Sequence, residues 1–185
     1  MNNLKLYLIV LGGKPKGRNV EQHDVLFAVG ESIEDTIGLM KKHWDTAVHM
    51  DAYMAIEQVD GYQVTISKKK SLNSSAPSDV KLFFVNLGGY KPNDLEEYHK
   101  KLVIAAKSVG EAKTLGMKDQ FFSEGLQEKN ARPHFDDKFG MFGFDVDDTL
   151  IVDEQIAPEY SIILKKAKNA RFDANKKVPG YKILK

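Results

Sequence analysis

Lys5-Leu6-Tyr7-Leu8-Ile9-Val10-Leu11-Gly12-Gly13 and Lys81-Leu82-Phe83-Phe84-Val85-Asn86-Leu87-Gly88-Gly89 are two versions of one stretch, 76 residues apart. The correspondence runs on without a gap. Glu21 and His23 fall on Glu97 and His99, Leu26 on Leu102, Ser32 on Ser108 and Leu39 on Leu115. Over Lys5–His43, 11 of 39 positions are identical, which is enough to read an internal duplication before any single element is assigned.

Each copy begins with a near-continuous apolar run ending at a glycine pair. That pattern suits a buried central strand. Asp24–Val29 reads as a second strand, rich in β-branched and aromatic residues. Ser32-Ile33-Glu34-Asp35 and Ser108-Val109-Gly110-Glu111 fit helix-capping boxes. After the first box Ile33, Ile37, Met40 and Trp44 lie at helical spacing. The second helix is expected to run further, toward Leu126. Tyr53–Val59 and Tyr62–Ile66 flank Asp60-Gly61, a strong hairpin signal. Phe139–Val146 and Thr149–Val152, with Asp147-Asp148 at the turn, are read as the second copy of that hairpin.

These elements predict an α+β fold of two tandem ββαββ-like repeats with pseudo-two-fold symmetry, mostly antiparallel sheet with one helix per repeat. The expected division is 1–66 for the first repeat, a polar linker over 67–80, the second repeat over 81–153 and a basic tail over 154–185, all in one compact body. Ser161–Leu164 and Tyr181–Leu184 are candidate short strands within the tail.

Composition narrows the function classes. Among 185 residues, 42% are hydrophobic and the net charge is +1, a globular profile. With no cysteine, disulfides, thiolate metal sites and cysteine nucleophiles are excluded. The longest apolar run, Leu6–Leu11, falls far short of the ~20 residues of a membrane span. No signal-peptide pattern opens the chain, so a cytoplasmic location without a membrane partner is the default reading. Gln155–Lys185 holds eight basic residues against Glu159 and Asp173, while residues 1–154 hold 19 basic and 24 acidic ones. The lysines are not interleaved with stacking aromatics, which argues against a nucleic-acid partner. Two half-sized units with small cores leave self-association open.

Two polar patterns recur. Glu-x-His occurs at Glu21/His23 and Glu97/His99, and His-x-Asp at His49/Asp51 and His134/Asp136. Residues two apart on a strand share a face, so each half can bring imidazoles and carboxylates together. Such a nitrogen–oxygen set suits zinc, manganese or iron, or an acid–base pair. The same pairs can equally be buried hydrogen bonds that hold loops. Four of the five histidines lie in these patterns; His43 stands outside them. Gly12-Gly13 and Gly88-Gly89 lack phosphate-loop spacing and read as tight turns that need positive φ. Asp145-Val146-Asp147-Asp148-Thr149-Leu150 is similar to the first motif of haloacid-dehalogenase-like phosphatases. Only 35 residues follow Leu150, too few for the rest of such a domain.

Leu11-Gly12-Gly13, Glu21-Gln22-His23-Asp24, His49-Met50-Asp51, Asp60-Gly61-Tyr62, Val85-Asn86-Leu87-Gly88-Gly89-Tyr90, Glu97-Tyr98-His99 and Val146-Asp147-Asp148 together resemble a bacterial family catalogued as domain of unknown function 1543, which occurs in one or two copies per chain. The resemblance spans about Leu4–Val152. Ala52 and the longer Lys118–Arg132 region depart from it, and the basic tail lies outside it. It implies the two-copy architecture and no activity. The reading of the residues is therefore a non-catalytic binding module with a polar pocket for a small molecule or a divalent metal, its candidate residues being Glu21, His23, His49, Asp51, Glu97, His99, His134 and Asp136. The alternatives are a metal-dependent hydrolase-like enzyme and an oligomerising protein-interaction domain.

Overall fold

The structure is a computed structural model and describes residues 3–68, 79–90, 95–120 and 144–184. Its strands are β1 (Lys5–Gly13), β2 (Gln22–Gly30), β3 (Val48–Ala55), β4 (Gln58–Val59), β5 (Tyr62–Lys68), β6 (Lys81–Tyr90), β7 (Glu97–Ala106), β8 (Phe144–Ile151), β9 (Tyr160–Lys166) and β10 (Lys177–Ile183). Two short helices, α1 (Ile37–Met40) and α2 (Val109–Gly116), complete an α+β fold in which every described strand pairing is antiparallel. The chain divides into two units, Met1–Ser78 with Asp153–Lys185, and Asp79–Val152.

In the first unit a four-stranded sheet has the order β10-β3-β1-β2, and a second sheet has the order β4-β5-β9. β1 is central because its apolar run is buried on both faces, Leu6 and Leu8 on one and Tyr7, Ile9 and Leu11 on the other. The second of these faces packs with Ala28, Ile33, Met40 and Met50 into one core, under the helix. The other unit holds a three-stranded sheet, β7-β6-β8. Phe83, Val85 and Leu87 of β6 pack there with Ile104, Ala106, Ala112 and Val146.

The two sheets share registers. β1 pairs with β2 from Lys5↔Gly30 to Gly13↔Gln22, and β6 pairs with β7 from Lys81↔Ala106 through Gly89↔Tyr98. β3 slips against β1 between Val10 and Leu11, and β8 slips against β6 between Asn86 and Leu87, at the corresponding position. Such a bulge leaves one residue unpaired and turns its side chain out of the regular alternation. The unpaired residues are Asp51 and Asp147.

Several expectations are corrected. Asp147-Asp148 is no hairpin turn: Phe144–Ile151 runs as a single strand along β6. Val146 faces Leu87 and Ile151 faces Phe83, so apolar pairing carries the strand straight through the acidic pair. Phe139–Gly143 lie outside the described residues. No second closing hairpin follows β8; the chain makes a 3-10 turn at Val152–Glu154, and β9 then pairs with β5. In the first unit Tyr53–Val59 is split. β3 ends at Ala55, the Ile56 N–H donates to the Leu6 carbonyl at 2.7 Å, and Gln58-Val59 form the Asp60-Gly61 hairpin with β5. Gly61 takes φ 85°, as such a two-residue loop requires.

The helix caps form where the sequence places them. Asp35 Oδ2 accepts from the Ser32 and Glu31 N–H groups, and Ser108 Oγ accepts from the Glu111 N–H. Both helices are shorter than their stripes suggest. The first starts as a 3-10 turn (Ile33–Thr36) and stops after Met40, with Trp44 beyond it. Gly38 and the β-branched Ile33, Thr36 and Ile37 give this segment weak helix propensity. The second stops at Gly116, and Leu126 lies outside the described residues.

The basic tail is built into the first unit. β9 lies along β5 and β10 along β3. Between them Asn175, only 6% exposed, accepts from the Glu57 and Gln58 N–H groups and donates to the Gln58 and Phe172 carbonyls. All four of its hydrogen-bonding positions are used, so it ties the tail to the β3–β4 connection. Asn175→Ala should cost about 2–4 kcal/mol in urea unfolding, because it strands buried backbone groups. Asn175→Asp, which keeps the acceptors but sets a carboxylate oxygen against the Gln58 and Phe172 carbonyls, should cost at least as much at pH 7.

Candidate metal centre

Gly12 is the centre of the first site. On one side it faces His23 of β2 and on the other His49 of β3, so all three lie in one row on the sheet face turned away from α1. A Cβ at position 12 would stand 2.3 Å from His49 Nε2 and 2.8 Å from Asp51 Oδ2. The missing side chain is the space into which the imidazole and carboxylate lean. Glu21 reaches the same place from two residues before His23, and the bulge delivers Asp51 from β3.

The donor atoms converge. His23 Nε2 lies 3.2 Å from Glu21 Oε1 and 3.4 Å from Asp51 Oδ2. His49 Nε2 lies 3.4 Å from Glu21 Oε1 and 3.2 Å from Asp51 Oδ1. Glu21, His23 and Asp51 each offer one ligand atom within 4.8 Å of the other two, and His49 adjoins both carboxylates. His49 is 9% exposed, and its ring packs on Tyr181 of the β10 segment at 4.4 Å between centroids. Despite these approaches, His49 Nε2 and Asp51 Oδ2 are buried without a hydrogen-bond partner among the described residues. Buried polar atoms are ordinarily paired, and an unpaired set facing one point is what a cation would satisfy. Tetrahedral coordination with bonds of about 2.1 Å has ligand–ligand edges of about 3.4 Å. The four imidazole–carboxylate separations, 3.2–3.4 Å, lie near that edge length.

The second unit repeats the row with a different composition. Gly88 faces His99 of β7 and Asp145 of β8. Glu97, His99 and Asp147 form a trio whose ligand atoms also lie within 4.8 Å of one another. His99 Nε2 is 3.3 Å from Asp147 Oδ2 and 3.7 Å from Glu97 Oε2. A Cβ on Gly88 would meet Asp147 Oδ2 at 2.2 Å. Asp145 takes the register position of His49 but turns away, its Oδ1 accepting from the Val146 N–H. Burial pushes the Asp147 carboxyl above its ordinary range, and the Glu97 charge adds to this while His99 opposes it.

Six of the eight residues singled out in the sequence, Glu21, His23, His49, Asp51, Glu97 and His99, lie in these two clusters. His134 and Asp136 lie outside the described residues. The strand register gives the positions of His49 and Asp51 to Asp145 and Asp147 instead. The D-x-D spacing that resembles a phosphatase motif is thus the second unit's counterpart of H-x-D, a relation hidden by the substitution of His by Asp. Neither Gly12-Gly13 nor Gly88-Gly89 makes a positive-φ turn; these residues are in strands. Gly12 and Gly88 admit the cluster side chains, and Gly13 admits Trp44 on the opposite face, where a Cβ would come within 3.0 Å of the indole. Tyr181 had no sequence signal, since it meets His49 only through the pairing of β10 with β3. His43 is engaged elsewhere, its Nε2 2.8 Å from Asp24 Oδ2.

Residues 18–66 match the family model described as Domain of Unknown Function (DUF1543). The family resemblance is therefore shown over the stretch that carries Glu21, His23, His49 and Asp51. Among solved structures, the chain is similar to the crystal structure of a protein Il1583 from Idiomarina loihiensis, with a TM-score of 0.66 and 27% identity, covering 98% of this chain and 99% of that one. No curated protein matches.

The raised Asp147 value sets a pH dependence for the metal-free protein. A carboxyl whose folded pKa lies above its unfolded value destabilises the fold while ionised, and that penalty disappears as pH falls through the folded pKa. Asp147→Asn should therefore raise the urea midpoint at pH 7 in the presence of chelator. The gain should shrink as pH falls through the carboxylate range, and a constant gain across pH would rule out this cause.

Proposed function

We propose that this chain is a divalent-metal-binding module whose better-formed site is the Gly12 row, with Glu21, His23 and Asp51 as ligands and His49 as a further donor. The observation that carries this reading is the buried His49 Nε2, which makes no hydrogen bond although the Glu21 and Asp51 carboxylates stand 3.4 and 3.2 Å from it. Two carboxylates would neutralise a dication, and mixed imidazole and carboxylate donors suit zinc, manganese or iron. The ring–ring contact with Tyr181 supports it further, since it holds the His49 ring in one orientation. We take the second cluster as a duplicated and diverged relative within two ββα-based repeats, for which the shared 76-residue offset and the shared bulge are the support.

A second reading has its own observation. The Glu21 and His23 side chains are 45% and 53% exposed, whereas that of His49 is 11% exposed. A metal held so from below keeps solvent-facing positions, as hydrolytic metal sites do and closed structural sites do not. Binding remains the leading function, because convergent imidazole and carboxylate donors are what the cluster directly supplies.

Elemental analysis of untagged protein, paired with melts with and without chelator, tests the reading. Bound zinc, manganese or iron near one equivalent or above and a chelator-lowered melt are expected. His49→Ala and Asp51→Asn should each weaken metal binding at least about 10-fold, and His43→Ala should leave it unchanged. Gly12→Ala should abolish uptake at this site while the protein stays folded by circular dichroism. Absence of uptake for all three metals, with superimposable melts, would return the cluster to a scaffold role.

A further inference from the structure

The loop above the first cluster carries charge that nothing described in the fold uses. β1 leaves its pairing with β2 at Gly13↔Gln22, directly beside the Gly12↔His23 row, so residues 14–20 arise from the edge of the cluster and return to it at Glu21. This loop contains Lys14, Lys16 and Arg18 and no acidic residue. All three cations are exposed, and none has an acidic partner among the described residues. The loop has a defined shape nonetheless. The Arg18 N–H donates to the Pro15 carbonyl at 3.2 Å, Gly17 takes φ 83°, and Thr46 Oγ1 donates to the Lys14 carbonyl at 3.3 Å.

The corresponding positions in the second unit provide an internal contrast. At the offset of 76, Lys14, Lys16 and Arg18 become Tyr90, Pro92 and Asp94, and Glu96 stands where Val20 does. The same unit has Asp145 in the His49 position. Among the described residues the deep imidazole belongs to the first cluster, and residues 14–20 carry three cations and no acid where residues 90–96 carry Lys91, Asp94 and Glu96. With a dication neutralised by Glu21 and Asp51, three cations would remain on a loop that leaves and re-enters the sheet beside the donor row.

We infer that the first cluster and its loop form a receptor for a small phosphate-bearing molecule, whose phosphate bridges the bound metal and Lys14, Lys16 and Arg18. This rests on the metal-binding reading above and assigns its ligand class. Phosphate fits better than carboxylate on geometric grounds. Its oxygens can engage a metal, a guanidinium fork and an ammonium together, while a carboxylate has two oxygens to share among them. Its charge near −2 at neutral pH also matches the surplus of the loop more closely.

The test is calorimetric titration of inorganic phosphate into the Mn²⁺-loaded full chain, with metal content measured on the same samples. Loaded protein should bind phosphate at least tenfold more tightly than chelator-treated protein, and more tightly than it binds acetate or malonate. The triple variant Lys14→Gln/Lys16→Gln/Arg18→Gln should bind the same amount of Mn²⁺ and lose phosphate affinity at least tenfold. Lys176→Gln/Lys177→Gln, remote in sequence from the loop, should change neither. Full metal loading without phosphate binding, equal phosphate affinity in the triple variant, or tighter binding of malonate would each overturn the assignment while leaving the metal site standing. Failure to load Mn²⁺, zinc or iron would instead remove the metal-binding reading, and the receptor with it.

Discussion

The arrangement depends on close approach above a strand glycine. In an antiparallel sheet, residues on either side of a central strand stand about 10 Å apart at Cα, two strand spacings of about 4.8 Å. Side chains at such positions are ordinarily kept apart by the one between them. Gly12 removes that obstacle, so His49 and Asp51 from one neighbouring strand meet Glu21 and His23 from the other. The bulge completes the set, because in regular alternation Asp51 would lie too far along the strand to share the point reached by His49. The rest of the first sheet supports this row. The buried β1 run anchors the central strand, the helix covers its opposite face, and β10 supplies both an outer hydrogen-bonding neighbour and the Tyr181 ring against His49.

The second unit uses the same backbone device for a different result. Gly88 admits Asp147 as Gly12 admits His49 and Asp51, and His99 and Glu97 retain their places. The same register position holds a buried His49 in the first unit and an exposed Asp145 in the second, which changes the electrostatics of the row. An imidazole can sit neutral in a poorly solvated position. A carboxylate there adds charge, and Asp145 instead turns to its own backbone while Asp147 is pushed toward its protonated form. The two rows thus separate backbone geometry, which they share, from donor chemistry, which they do not.

How much of this could be read from residues alone follows from the range of each interaction. The duplication, the central strands, the helix caps, the Asp60-Gly61 hairpin and the Glu-x-His pairs rest on local spacing, and spacing survives in a sequence. The counterpart of His49-x-Asp51 was not legible, because alignment by residue type favoured His134/Asp136 while strand register selected Asp145/Asp147. The glycine pairs mislead for a related reason. Positive φ is a local property that sequence can suggest, whereas room for a side chain from the next strand is a non-local one. The tail shows the same limit: its two strand segments were recognisable, but their partners β5 and β3 lie some 100 residues or more away in the chain.

The α+β class, the absence of thiol chemistry and the recurrence of imidazole and carboxylate pairs were all legible in the residues, since they follow from composition and short periodicities. That the pairs converge, that one imidazole nitrogen is buried without a hydrogen bond, that Asp147 completes the described second trio, and that β10 of the tail extends the first sheet are matters of tertiary structure. Those facts depend on strand register and a one-residue bulge. A slip of one position moves a side chain to the opposite face of a sheet, and no local preference of the residues specifies it.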